Sequence, residues 1–143
     1  MRYVRLAAVS TALTLCGCVH PSPVQVSPDG TQFQLNGTIT LPSGVPQKLA
    51  FVSKPNPDCS QGEIPVVRAV TEPAHGKLQI VQAEDFPTFR PASNPLAKCN
   101  TVRIKGIRIT YTPDAGYVGK DEYEFEAFGN GRVVRSHAVV NVL

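Results

Sequence analysis

The sequence predicts an all-β fold, a sandwich of about seven antiparallel strands. Three observations carry that expectation. From Gln32 onward the apolar residues recur with a period of two, the signature of strands with one buried face. Prolines and glycines, 13 and 11 of the 143 residues, interrupt the alternation at intervals of about 8 to 15 residues, the spacing of short strands joined by turns. No stretch of this region shows the three-to-four-residue repeat of an amphipathic helix. The roughly 110 residues from Gln32 to the end are the size of one domain.

The residues before that domain have a different character. Arg2 and Arg5 precede an uncharged apolar run from Leu6 to Leu15. A short basic segment followed by a short apolar one is the layout of an export signal. The run falls short of the roughly 20 residues needed to cross a bilayer. It ends in Leu15-Cys16-Gly17-Cys18, which resembles the bacterial lipobox, with Cys16 where alanine or serine is usual. Glycine precedes Cys18, whereas Cys16 is preceded by Leu15, a poor fit to a small-residue cleavage pocket. Cys18 is therefore the expected lipidation site, residues 1–17 the signal peptide, 18–31 the anchor and tether, and 32–143 the domain. The resemblance implies several acyl chains and stable membrane attachment, since a single chain holds only marginally. Val19, in place of aspartate, implies the outer membrane, facing the periplasm.

Cleavage would also simplify charge and cysteine content. The chain has 14 basic and 11 acidic residues, a net charge of +3. Loss of Arg2 and Arg5 leaves a net charge of +1 and no clustered basic face, so nucleic acid is not an expected partner. Cys16 leaves and Cys18 is acylated. Cys59 and Cys99 remain, in a chain bound for an oxidising compartment, and are expected to form one disulfide. Neither cysteine has the ligand spacing of a zinc site or a redox pair. The segment 19–31, with three prolines and no apolar period, reads as a tether of roughly 40 Å if extended.

Within the domain, Phe33, Leu35, Gly37, Ile39 and Leu41 alternate with polar residues. Asn36-Gly37 has the letters of a hairpin turn. A turn there would mix apolar and polar residues on both faces, so a single strand through Gly37 is expected. Further strands are expected at 48–53, 65–71, 77–82, 102–112, 121–128 and 133–142. Residues 83–100 form an expected long loop, pinned at Cys99. The last two strands are joined at Asn130-Gly131, which sets Glu126 opposite Arg135 and Glu124 opposite His137. Tyr123, Phe125 and Ala127 then share the other face with Val134, Ser136 and Ala138, and Glu122, Glu124 and Glu126 read as a solvated face.

Two segments, Pro73-Ala-His75-Gly76 and Tyr111-Thr-Pro113-Asp-Ala-Gly116-Tyr117-Val-Gly119-Lys-Asp121-Glu-Tyr123-Glu-Phe125, resemble the bacterial Ig-like, cadherin-like domains of exported proteins. The likeness covers about residues 66–142 and implies an Ig-like sandwich. Its residues have architectural roles. His75-Gly76 opens a strand, Tyr111 and Pro113 close one, and Gly116 and Gly119 shape a loop. Tyr117 caps the core edge, Asp121 accepts backbone N–H bonds, and Tyr123 and Phe125 point inward. Such domains commonly occur in tandem with calcium between repeats. This chain shows one copy, so no metal is expected at Asp114 or Asp121, and no cofactor.

No nucleophile elbow, zinc-protease motif or phosphate loop is present. His75 near Glu72 is a conceivable acid–base pair, but a turn histidine bonded to backbone is the commoner use. The expected function is non-catalytic: a protein-binding or assembly module contacting another envelope protein, with no small-molecule substrate. The expected surfaces are an edge strand at 32–41 and the 83–100 loop. The alternative is a carbohydrate or peptidoglycan binder. It needs exposed aromatics, and with no tryptophan in the chain only Phe86 and Phe89 offer themselves.

Overall fold

The computed structural model describes residues 24–92, 94–129 and 131–143. Cys18 and the signal segment lie outside the described residues, as does Asn130 of the expected turn. Eight strands form two sheets: β1 (Val24–Val26), β2 (Gln32–Leu41), β3 (Gln47–Val52), β4 (Val66–Thr71), β5 (Gly76–Asp85), β6 (Ile104–Pro113), β7 (Gly119–Gly129) and β8 (Arg132–Val142). One sheet has the order β1-β2-β8-β7-β4 and the other β3-β6-β5. All pairings are antiparallel except β2 with β8, which run parallel along the whole of β2.

Period-two alternation gives each sheet an apolar face, and the two faces meet in one core. Leu41, Tyr123, Phe125, Val140 and Val142 from the larger sheet pack on Leu78, Ile109 and Tyr111 from the smaller. β2 passes through Asn36-Gly37 without turning, because only an unbroken strand keeps Leu35, Ile39 and Leu41 on the core side. The β7–β8 register pairs Glu126 with Arg135 and Glu124 with His137, as the facing charges require.

Four expectations need correction. The segment before Gln32 is not all tether: Val24 and Val26 flank Gln25 in β1, which pairs with Phe33, Gln34 and Leu35. The turn between β1 and β2 is closed by Asp29, whose carboxylate accepts the Thr31 N–H at 3.1 Å and the hydroxyls of Thr31 and Ser27. The expected loop 83–100 is shorter, because β5 keeps its ladder with β6 down to Asp85 opposite Ile104. Its far end is a 3₁₀ helix, Pro95–Thr101, capped by Asn94. Residues 32–41 are an edge only in part, since β8 covers one whole side of β2 and β1 a third of the other. Finally, the glutamates of β7 are not uniformly solvated. Glu126 is 3 % exposed, covered by arginines whose long side chains lie across the sheet.

The disulfide Cys59–Cys99 is formed, with the Cα atoms 5.1 Å apart. It ties the β3–β4 connection to the 3₁₀ helix. Cys59 has φ +67°, unusual for a residue with a side chain. The tight turn from Asn56 to Ser60 imposes it: Cys59 N–H donates to the Asn56 carbonyl and Asn56 N–H to the Ser60 carbonyl.

Candidate binding edge

The motif residues converge at one end of the sandwich. Asp121, 5 % exposed, accepts four hydrogen bonds: from the N–H groups of Ala74 (2.9 Å), His75 (3.0 Å) and Glu122 (2.9 Å), and from Tyr111 Oη (2.7 Å). Burial opposes its ionisation. The bonds from Tyr111, Ala74, His75 and Glu122 outweigh that and hold the carboxyl below its ordinary range. Burial first, and the negative partner second, raise the Tyr111 phenol above its ordinary value. Gly76 is required here, because a Cβ would stand 2.6 Å from the Tyr111 ring. His75 stacks on Tyr117 with ring centroids 4.0 Å apart and planes 10° apart. Tyr117 Oη donates to the Lys120 carbonyl at 2.7 Å, and the His75 carbonyl accepts Asp114 N–H at 3.0 Å. Pro113 and Gly116 border the same turn, with Gly116 at φ +81°. Tyr123 and Phe125 point into the core as expected. The Asp121 carboxylate, the Tyr111 and Tyr117 hydroxyls and the His75 backbone are engaged in holding turns to strands, so these groups have a structural role.

The outer face of the larger sheet carries a charge ladder. Glu126 lies between Arg68, with contacts of 2.8 and 3.0 Å, and Arg135, whose Nε contact is 2.9 Å. Arg135 also reaches Glu124 at 3.0 Å. The bonds from Arg135 and then Arg68 hold the Glu126 carboxyl below its ordinary range. Among the described residues no group of three histidines, cysteines or carboxylates could hold a metal ion, and no helix is long and apolar enough to cross a membrane. Of the loop aromatics, Phe86 lies beneath the Arg103 guanidinium, 5.7 Å from its ring centroid. The Phe89 backbone is clamped on both sides by the Asn100 amide.

Among the described residues, β2 beyond the reach of β1 has backbone groups still to satisfy, as the edges of β3, β4 and β5 do. Ser27 N–H donates to the Gln32 carbonyl, whereas the Thr31 and Leu41 carbonyls accept from Val133 and Leu143. Even-numbered residues of β2 therefore point their backbone groups toward β1, and odd-numbered ones toward β8. β1 pairs only Phe33 to Leu35. Beyond it, Asn36, Thr38 and Thr40 turn three N–H and three C=O groups to an edge that no described residue covers, and all three residues are exposed. Upstream of β1 the sequence has Pro21 and Pro23. Neither proline has an N–H to offer.

A crevice of about 240 Å³ runs between this edge and β3. Leu35, Leu49, Ala50, Tyr123, Phe125 and Ala138 form its apolar lining, Asn36, Ser136 and His137 its polar one, and it opens beside Gly37. The inner face here is incompletely covered, because five strands face three: Leu35 remains 37 % exposed, Val24 44 % and Val26 53 %. The sequence signals for this site are visible in retrospect. Residues 32–41 carry no charge and no proline, and two alternating prolines stand just before β1. No protein-family model matches the chain, and no curated protein matches it.

Proposed function

We propose that the protein is a non-catalytic envelope lipoprotein, held through a lipid on Cys18 at the periplasmic side of the outer membrane. Its single Ig-like domain binds another envelope protein as an assembly or accessory module. Binding is by strand addition: an extended segment of the partner lies along β2 and continues the larger sheet. The observation that supports this is the row of backbone groups on Asn36, Thr38 and Thr40 that no described residue pairs, beside a largely apolar crevice. Main-chain bonds supply affinity in such an arrangement and side-chain pockets supply selectivity.

The test is site-specific photo-crosslinking in intact cells. A photoreactive side chain at Thr38 is expected to give a discrete protein adduct, and one at Val81, exposed on β5, none. The absence of an adduct at Thr38, together with co-sedimentation of the protein with purified peptidoglycan, would overturn the reading in favour of a cell-wall binder.

A further inference from the structure

The geometry points to the chemistry of the partner: the β2 edge takes an extended, uncharged segment of about five residues with an aliphatic side chain opposite Gly37, and Gly37 sets that preference. This rests on the strand-addition reading above and adds what the strand must be.

The first support is charge. Natural sheet edges are guarded by charged residues or prolines against unwanted pairing. The edge strands β3, β4 and β5 follow that rule, with Lys48 on β3, Arg68 on β4, and Lys77, Glu84 and Asp85 on β5, whereas the three-residue β1, Val-Gln-Val, carries no charge. β2 has none from Gln32 to Leu41. Lys48, the nearest cation on β3, is already held by Asp85 at 3.2 Å. Among the residues that line the crevice, His137 alone can carry a charge, and it faces Glu122 at 3.5 Å, so a charged residue on an incoming strand would find no lysine, arginine or carboxylate in that lining.

The second support is shape. Gly37 shares the inner face with Leu35 and Ile39, and a Cβ built there would meet nothing within 4 Å. Its N–H and C=O face β8, so it stands opposite an added strand at a position without mutual hydrogen bonds. Side chains approach most closely at such positions. The partner residue facing Gly37 would project to the inner side, over empty space that opens into the crevice. A valine or isoleucine there would bury apolar surface against Leu35 and Leu49. A polar group would lose its water without gaining a bond.

The third support is length. The open stretch is bounded by Val24, which sits opposite Leu35, and by Pro42, which follows the last residue of β2. Asn36 to Thr40 is five residues, roughly 17 Å of strand. A second copy of β2 laid antiparallel, with Thr38 facing Thr38 so that all three residues pair, would bring its Leu41 onto the place held by Val24. A foreign segment can leave the sheet before that point.

The probe is the end-capped peptide Thr-Val-Thr-Val-Thr, titrated into the full chain in detergent and followed by amide hydrogen exchange. Its second valine falls opposite Gly37 when its threonines pair with Thr40, Thr38 and Asn36. Slowed exchange at Asn36, Thr38 and Thr40, with Gly37 and Ile39 unchanged, is expected. Replacing that second valine by aspartate should weaken binding by roughly tenfold or more, the scale of losing one buried aliphatic side chain. Gly37→Leu should weaken the valine peptide to the same extent, and a peptide with glycine at that position should recover binding to it. Gly37→Ala, which adds only the Cβ, serves if the leucine variant fails to fold. Equal binding of the aspartate peptide would overturn the preference and leave strand addition standing. No protection with any peptide, while Thr38 still crosslinks in cells, would overturn the proposed chemistry alone. Protection of the three amides without peptide, with a dimer in sedimentation, would make the occupant a second copy.

Discussion

Tyr111 Oη donates to Asp121 Oδ2 across 2.7 Å, joining the smaller sheet to the larger through one buried carboxylate. The same carboxylate receives the N–H groups of Ala74 and His75, so the turn before β5 hangs from the start of β7. Asp121→Asn presents an amide to these donors and should cost about 3 kcal/mol, and Tyr111→Phe about 1 to 2 kcal/mol. The double variant should lose less than the sum, because the two share a bond. Urea unfolding of the four proteins measures all three quantities.

The Asp121 carboxyl is held below its ordinary range, so its contribution to stability has a defined sign with pH. It is fully present above the unfolded-state value, about 3.9 for an aspartate, and is lost as pH falls through the lower folded value. Stability should therefore change little through this group from pH 7 to 5 and drop below about pH 4. Asp121→Asn should flatten that acid limb in part. Glu126, also held low by Arg135 and Arg68, supplies a remaining portion. Denaturation midpoints measured from pH 2 to 7 test both statements.

Two glycines, one in each sheet, should respond in opposite ways to the same change. Gly76→Ala drives a methyl to 2.6 Å from the Tyr111 ring and should cost about 1 to 3 kcal/mol by overpacking. Gly37→Ala meets open space and should leave stability unchanged or raise it by up to about 1 kcal/mol, since glycine is a weak strand residue. Thermal unfolding of the two variants gives the comparison.

The disulfide closes a loop of 40 residues. On the chain-entropy estimate its reduction should cost about 4 kcal/mol. Cys59 and Cys99 changed together to serine should show the same loss, and reductant should then have no further effect on the unfolding midpoint.

Metabolic labelling with a palmitate analogue tests the anchor. Label is expected on the wild-type chain and on Cys16→Ser, and none on Cys18→Ser. Mass spectrometry of the mature N-terminus should begin at a modified Cys18; an unmodified residue there would overturn the lipoprotein reading.

Local pattern was enough to read much of this fold. The alternation from Phe33 to Leu41 implied one strand rather than a hairpin, the charges on Glu126 and Arg135 implied the β7–β8 register, and the expectation of export implied the Cys59–Cys99 pair that the structure shows. Each of these depends on residues near one another in sequence or on composition alone. The short strand Val24–Val26 escaped notice because three residues carry too little period to detect. The continuation of β5 into Asp85 escaped because its last turn of alternation is polar, and only the partner strand β6 holds it extended.

What the sequence by itself determined is the all-β class, the inward face of most strands, and the pairing of Cys59 with Cys99. Tertiary structure alone decided which strand lies beside which. Period two names the buried face of a strand and is silent about its neighbour, because the neighbour is chosen by hydrogen bonds across long sequence separations. The parallel seating of β2 on β8, the burial of Glu126 beneath two arginines, and the meeting of Tyr111, Asp121 and the His75 turn all arise that way. So does the open edge at Asn36, Thr38 and Thr40. Their letters read as an ordinary polar face, and only the tertiary pairing, in which Val24–Val26 reach no further than Leu35, leaves their backbone groups unpaired among the described residues.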